Sequence, residues 1–298
     1  MFSIDLEDFA QLVCWSVAGT IPDVTRDLDR QMDTVLSLLE EHKLRGTFFV
    51  LGMVASRRPD IVRRVHAAGH EIATHGTNHV QAFRQTRAEF KADVGDSVKL
   101  LSDLTGRPVL GYRAPQFSIV RANLWALDLL AELGLQYDSS IFPMRLPRYG
   151  IDGFDPLPQV YQLAGGGRIV EIPLSILQRA GRRLPIAGGG YLRLMPQFVL
   201  RRAVKAMGRA GQTFTLYLHP YEFDPQPLDV GRTLSSEHMP ALRRALLNAK
   251  WNLRRRSIIA KVHWMCRNMR FTTYTHLAQH VLATQQPRPL IGGVTSDT

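Results

Sequence analysis

Four short stretches of the 298-residue chain concentrate side chains suited to hydrolytic chemistry. In SIDLEDF, Asp5, Glu7 and Asp8 place three carboxylates within four residues. Such acids repel one another unless a cation or a raised pKa relieves them; they are also favoured as caps at a helix start. On a strand, Asp5 and Glu7 point to one face and Asp8 falls in the turn beyond. In ATHGTNHV, the His-x-x-x-His spacing of His75 and His79 would let a single helical turn bring both imidazoles to one side. Two imidazoles and one carboxylate form a common divalent-metal set with positions left open for water and substrate; zinc fits, as do cobalt and nickel. By itself the pair is equally a surface turn, and it is the carboxylate cluster elsewhere that favours a metal. Position 76 is Gly, so no glutamate base accompanies the histidines and Asp5 is the natural candidate. In GYRAPQFS, Arg113 ends a strand, where it could keep a carboxylate ionised or bind a backbone carbonyl. In TLYLHPYEFD, His219 closes a strand; it could protonate a leaving amine near neutral pH or simply pack beside Pro220 and Tyr221. His42, His66, His70, His238, His263, His276 and His280 read as surface or packing residues.

The elements that must hold these groups alternate. Short β-rich runs (Phe2 to Leu6, Thr47 to Leu51, Glu71 to Ala73, Val109 to Tyr112, Arg168 to Ile172, Thr213 to Leu218) are separated by amphipathic helical segments. The helices are expected at Asp23 to Lys43, Pro59 to Ala68, Thr86 to Thr105, Ala122 to Leu133, Pro196 to Arg209 and Pro240 to Lys250. Phe142 to Gly167 reads as a long irregular excursion, Gly188 to Gly190 as a glycine run, and Gln285 to Thr298 as a frayed tail. The four clusters fall at strand ends, where α/β barrels carry their reactive groups. One barrel-like α/β domain is the simplest architecture.

Composition narrows the class. At 45% apolar and 21% charged residues the chain is globular. Its longest buried-looking apolar run, Thr47 to Ala55, is far short of the roughly 20 residues of a membrane span. MFSIDLEDFA carries acids where an export signal would be basic, which points to the cytoplasm, possible contact with the inner membrane surface included. Cys14 and Cys266 show no CxxC spacing, so neither a disulfide framework nor a cysteine-ligated zinc is expected. The net charge of +11 is uneven: residues 1–178 hold 18 Lys/Arg and 21 Asp/Glu, residues 179–298 hold 19 and 5. No nucleic-acid-binding signature accompanies the excess, so no nucleic-acid partner is expected.

Taken in order, the motifs SIDLEDF (3–9), GTFFVLG (46–52), RRPDIVRRVHAAGHEIATHG (57–76), GYRAPQFSI (111–119), YDSSIFP (137–143), IVEIPLS (169–175), GGGYLRL (188–194) and YLHPYEFD (217–224) are distinctive. The chain resembles the polysaccharide deacetylases of carbohydrate esterase family 4, the NodB-homology group, and more narrowly the branch tied to exosortase-linked exopolysaccharide loci, with a C-terminal domain of unknown function. The resemblance implies a distorted (β/α) barrel over residues 1–225, a basic extension over 226–298 packed on it, and metal-dependent removal of N-acetyl groups from amino sugars of a polysaccharide or lipid-linked glycan. It implies Asp5 as general base, His75 and His79 as metal ligands, Arg113 as the residue orienting the base, His219 as general acid, and Asp138 as an acid tuning that histidine. The family's adjacent aspartate pair is replaced by Asp5-Leu6-Glu7-Asp8, so either Glu7 or Asp8 would supply the metal carboxylate, with strand geometry favouring Glu7. The oxyanion would rest on the metal and a backbone N–H such as that of Gln116. The family's tryptophan-bearing fourth motif is not evident.

Two other readings compete. One is an amide hydrolase of the same superfamily acting on a small linear or cyclic amide in a closed pocket, whereas Gly188 to Leu194 and the proline-rich excursion look like walls of an open sugar groove. The other is a barrel that only binds glycan. In addition, Trp251 to Phe271 mixes cations with Trp251, Trp264 and Phe271, and could either lie on an anionic membrane or pack as a basic helix on the barrel.

Overall fold

The computed structural model describes residues 1–290 apart from 180, 181, 187, 233 and 235–238; His238 and the tail from 291 lie outside the described residues. Strands and helices alternate: β1 (Phe2–Leu6), α1 (Phe9–Ala18), α2 (Asp27–Glu41), β2 (Thr47–Val50), α3 (Gly52–Arg57), α4 (Pro59–Ala67), β3 (Glu71–Thr74), α5 (Arg87–Thr105), β4 (Gly111–Tyr112), α6 (Trp125–Glu132) and β5 (Tyr137–Asp138). They continue with β6 (Gln159–Gln162), β7 (Arg168–Glu171), β8 (Ile176–Arg179), β9 (Arg182–Pro185), α7 (Gly189–Leu194), α8 (Gln197–Arg209) and β10 (Leu216–Leu218). The chain then runs through α9 (Ala241–Asn252), α10 (Ser257–Asn268), α11 (Tyr274–Thr284) and β11 (Arg288–Pro289).

The strands order as β10-β1-β2-β3-β4-β5-β7-β6-β11. From β10 to β7 every pairing is parallel, and β6 turns back antiparallel on β7. The two flanks of the parallel run are joined by side chains: the Ser175 N–H donates to Thr215 Oγ1 and the Thr215 N–H to Ser175 Oγ, both at 2.7 Å. This is the distorted α/β barrel expected from the sequence, closed by hydroxyls where a strand ladder would be.

Strand alternation sorts the side chains. Phe2, Ile4, Leu6, Phe48 and Val50 join the large core beneath the helices, whereas Phe49, Ala73, Tyr137, Val170 and Ile172 fill a second cluster inside the barrel. Ser3 and Asp5 alternate with Ile4 and so share that inner side. Tyr274, Ala278 and Val281 of α11 belong to the inner cluster, and the Tyr274 ring stacks on Tyr137 at 5.8 Å. The C-terminal region therefore completes the barrel interior.

Several elements differ from expectation. The excursion at 142–167 contains β6, and the stretch expected to fray contains β11, paired with β6. α1, which periodicity did not suggest, starts at the acidic cluster because Asp8 caps it. α2 begins at Asp27, and the glycine run opens α7. Among the described residues no helix is long and apolar enough to cross a membrane.

Candidate active site

The mouth of the barrel is built from residues at or just past the C-terminal ends of the strands, as barrel enzymes require. Asp5 lies on β1 and Glu7 just beyond it; His75 follows β3, Arg113 follows β4, Asp138 ends β5 and His219 follows β10. Asp5, Glu7, His75, His79, Arg113 and Asp138 are all buried.

Glu7, His75 and His79 converge, with their ligand atoms within 4.8 Å of one another. Glu7 Oε1 lies 2.8 Å from His75 Nε2 and 3.2 Å from His79 Nε2. His75 Nδ1 is 2.7 Å from the Arg113 carbonyl oxygen, which can only accept, so Nδ1 carries a proton and Nε2 is the nitrogen presented to Glu7. One carboxylate oxygen and two imidazole nitrogens converge here, and the second ring nitrogen of His75 is held by a backbone carbonyl, as metal-binding histidines commonly are. The donor set therefore fits a divalent metal. Burial opposes a charge on Glu7, but His79 and His75 outweigh it and hold the carboxyl well below its ordinary range. The edge of Trp15 covers His79, with ring centroids 5.6 Å apart.

The histidines do not lie on a helical turn. Gly76 has φ 76° and His79 φ 55°, so the segment is a left-handed loop. Asp93 holds it by accepting from the Thr77 and Asn78 N–H groups, and a Cβ at position 76 would lie 2.6 Å from Asp93 Oδ2. Asp8, the alternative metal carboxylate, is turned elsewhere: it accepts from the Ala10 N–H at 2.6 Å and from the Thr25 N–H and hydroxyl at 2.7 Å. The cap at the start of α1 thus claims one acid of the cluster and leaves the other two for the mouth.

Arg113 is fully buried. It donates to Asp5 Oδ1 at 2.6 Å, Ser3 Oγ at 2.9 Å, Tyr274 Oη at 2.8 Å and the Ser139 carbonyl at 3.1 Å. Its guanidinium lies 3.9 Å from the centre of the Phe49 ring. Burial disfavours the charge, yet Asp5 and Tyr274 more than restore it, so Arg113 is a permanent buried cation that fixes the Asp5 side chain in place. Gln116 and Phe117, just downstream, both have left-handed backbone, φ 55° and 53°, a strained turn of the kind found at functional sites.

His219 is paired differently from expectation. Its Nδ1 faces Glu222 Oε2 at 3.5 Å, and Glu222 also accepts the His219 N–H at 2.9 Å. Tyr221 stacks on the imidazole at 4.9 Å. Burial works against protonation, but Glu222, Glu7 and Asp5 push the imidazole pKa up to about 9. Asp138, expected to tune His219, instead accepts from the Ser140 N–H and hydroxyl and lies in register with Glu171. Burial raises the pKa of both of these acids, and Asp138 raises that of Glu171 further. The expected partner was misplaced because the acid sits three residues after His219, on its own turn. Glu222 and Tyr274 are the site residues that sequence reasoning missed. The HPYE spacing was a usable signal for Glu222, and the glycines at 188 and 189 were a second: a Cβ at Gly189 would lie 1.7 Å from Glu222 Oε1 and one at Gly188 would lie 2.3 Å from the Tyr217 ring.

Beside Trp15 and Gln116 opens a cleft of about 600 Å³, also lined by Gln81, Arg84, Arg148 and Tyr149. The proline-rich excursion supplies the last two.

Comparison with known proteins places this barrel hydrolase architecture in a family. Residues 16–137 match the polysaccharide deacetylase family and residues 139–279 match a domain of unknown function, DUF3473. The chain carries a polysaccharide deacetylase region followed by a DUF3473 region. It is 32% identical over 126 residues to a chitooligosaccharide deacetylase of Sinorhizobium fredii, covering 40% of this chain and 54% of the relative. It is 35% identical over 81 residues to a peptidoglycan-N-acetylglucosamine deacetylase of Bacillus cereus, covering 27% and 38%. The chain thus spans about half, or less, of these curated relatives. In fold it is similar to a Mycobacterium smegmatis protein described as a polysaccharide deacetylase (TM-score 0.65, 22% identity, 97% and 93% of the two chains). It is also similar to the Puue allantoinase (TM-score 0.59, 17% identity, 95% and 89%).

Proposed function

We propose that this protein is a divalent-metal-dependent N-deacetylase acting on N-acetylated amino sugars of a polysaccharide or lipid-linked glycan. The observation that carries the reading is one carboxylate oxygen facing two imidazole nitrogens, flanked by an Arg113-locked carboxylate and by a histidine paired with its own acid.

Glu7, His75 and His79 would hold the metal, zinc, cobalt or nickel by donor type. When bound, the metal would supply carbonyl polarisation and a more acidic attacking water, which an inert amide needs. Asp5 takes the water's proton; its salt bridge to Arg113 keeps it aimed. Ser3, Ser139 and Tyr274 hold Arg113 in turn. The Gln116 N–H on its left-handed turn is the backbone donor offered to the developing oxyanion. His219, kept protonated by Glu222, delivers a proton to the departing amine; its buried Nδ1 faces Glu222, so Nε2 is the nitrogen left for substrate. Asp138 has no proton-transfer role: Ser140, which it binds, accepts the Ala114 N–H at 2.7 Å and steadies the turn after Arg113.

A glycan suits the cleft better than a small amide does, because the space beside Trp15 is half-open and lined by Arg148 and Tyr149. The test is acetate release from an N-acetylglucosamine oligomer, with and without chelator. Release that chelator stops and metal restores is expected. Stoichiometric metal with no release, or release indifferent to chelator, overturns the proposal.

A further inference from the structure

α9 (ALRRALLNAKWN) has no buried residue. Its inner side is nevertheless anchored. Leu247 and Trp251 pack against the cluster of Phe9 and Tyr221, and Asn248 and Asn252 accept from the Val230 and Leu228 N–H groups at 2.7 and 2.9 Å. The helix therefore has a fixed orientation, and its outer side is apolar: Leu242, Leu246 and Leu253 are 73%, 62% and 55% exposed. Their spacing puts them on one stripe. Leu194 and Phe198, 49% and 59% exposed, continue the surface, since Arg193 donates to the Trp251 carbonyl at 2.9 Å and ties α7 to the end of α9.

Cations surround this stripe. Arg243, Lys250 and Arg254 are exposed along α9 and just after it, and Arg202 lies 5.7 Å from the centre of the Phe198 ring. Among the described residues none of these four is paired with a carboxylate. Exposed leucines ringed by unpaired cations are the composition of a helix that lies in the plane of an anionic bilayer. A second copy of the chain would bring like charges together across a twofold interface. Nucleic acid has no use for the leucines.

We propose that α9, with Leu194 and Phe198, docks this protein on an anionic lipid surface. The segment 251–271 is a weaker candidate, because α10 spends Ile258, Val262 and Met265 on the main core. The surface lies directly behind the proposed general acid: Trp251 meets Tyr221 at 5.7 Å, and Tyr221 stacks on His219. Docking there would hold the His219 side of the barrel next to the bilayer, within reach of a lipid-linked acceptor. That corollary rests on the deacetylase reading; the docking does not.

The experiment is co-sedimentation of the full chain with vesicles of phosphatidylcholine alone or mixed with phosphatidylglycerol, run beside acetate release from a soluble oligomer. Binding to the mixed vesicles that fades with added salt is expected. The double variant Leu242→Ser/Leu246→Ser should lose about tenfold in binding, and Arg243→Gln or Lys250→Gln roughly fivefold each, with soluble-substrate turnover unchanged. Equal binding to both vesicle types, or full binding by the leucine variant, overturns the proposal. So does a wild-type dimer that the leucine variant converts to monomer, because a second copy would then cover the stripe. Loss of acetate release alone would count against the deacetylase reading and leave the docking intact.

Discussion

Two groups in this molecule bring one glutamate and two histidines within 4.8 Å of one another: Glu7, His75 and His79 at the barrel mouth, and Glu41, His42 and His263 where α2 ends and β2 is about to begin, at the other end of the barrel. The residue types are identical and the surroundings are not. In the outer group, His42 Nε2 and His263 Nδ1 face each other at 2.7 Å, so one ring donates and the other accepts. Glu41 stands off at 3.7 to 3.8 Å with its side chain 57% exposed. That group is satisfied as it stands. At the mouth, the Arg113 carbonyl holds His75 Nδ1 and leaves Nε2 for Glu7, and Glu7 is buried. The lesson is that proximity alone does not distinguish a candidate metal site: a second partner orienting the imidazole, and burial of the carboxylate, do.

A third acidic group completes the contrast. Asp138 and Glu171 are fully buried neighbours in register on adjacent strands. Glu171 Oε1 accepts the Ile141 N–H, while Oε2 has no donor among the described residues, as expected of an acid kept protonated.

The largest expected effect breaks the symmetry of the two histidine groups: His75→Ala abolishes acetate release, while His263→Ala leaves it within experimental scatter. Next, Asp5→Asn and His219→Ala should each slow turnover by about 10²- to 10⁴-fold while metal stays bound, since the proposed mechanism has them move protons and hold no ion; elemental analysis of each variant checks this. Third, Glu222→Gln should shift the alkaline limb of kcat/KM to lower pH. The proposed mechanism requires the acid form of His219, so activity should fall as pH rises through its pKa, pushed up to about 9 in the native protein, and removing Glu222 takes away one of the contributions that raise it. Fourth, Tyr274→Phe should cost about 1.5–3 kcal/mol of unfolding free energy, the scale of a lost hydrogen bond to a charged group, read from urea denaturation. The smallest change is in a slope. Glu171 is raised above its ordinary value of 4.5, so the unfolded chain loses that proton first, and the native state loses stability as pH rises above that value. Glu171→Gln should flatten this decline in a series of thermal melts across pH.

Much of the mouth was legible because its residues follow strands directly, and strand alternation fixes which side chains look inward. Asp5, His75, Arg113 and His219 were placed in that way, by local pattern and by the order of the motifs. Local pattern failed where a side chain competes for backbone. The HxxxH spacing suggested a helical turn, but Asp93 and the positive φ of Gly76 make a loop. Asp8, for which the sequence left both a metal carboxylate and a helix cap open, caps α1. Long-range partners left no trace at all: Tyr274 reaches Arg113 across 161 residues, and a tyrosine opening an amphipathic helix carries no sign of it.

Metal stoichiometry by equilibrium dialysis of the native protein and His75→Ala tests the central claim most directly. One divalent ion per native chain and none in the variant is the expected result. An ion retained by His75→Ala, or none bound by the native protein, would contradict the account.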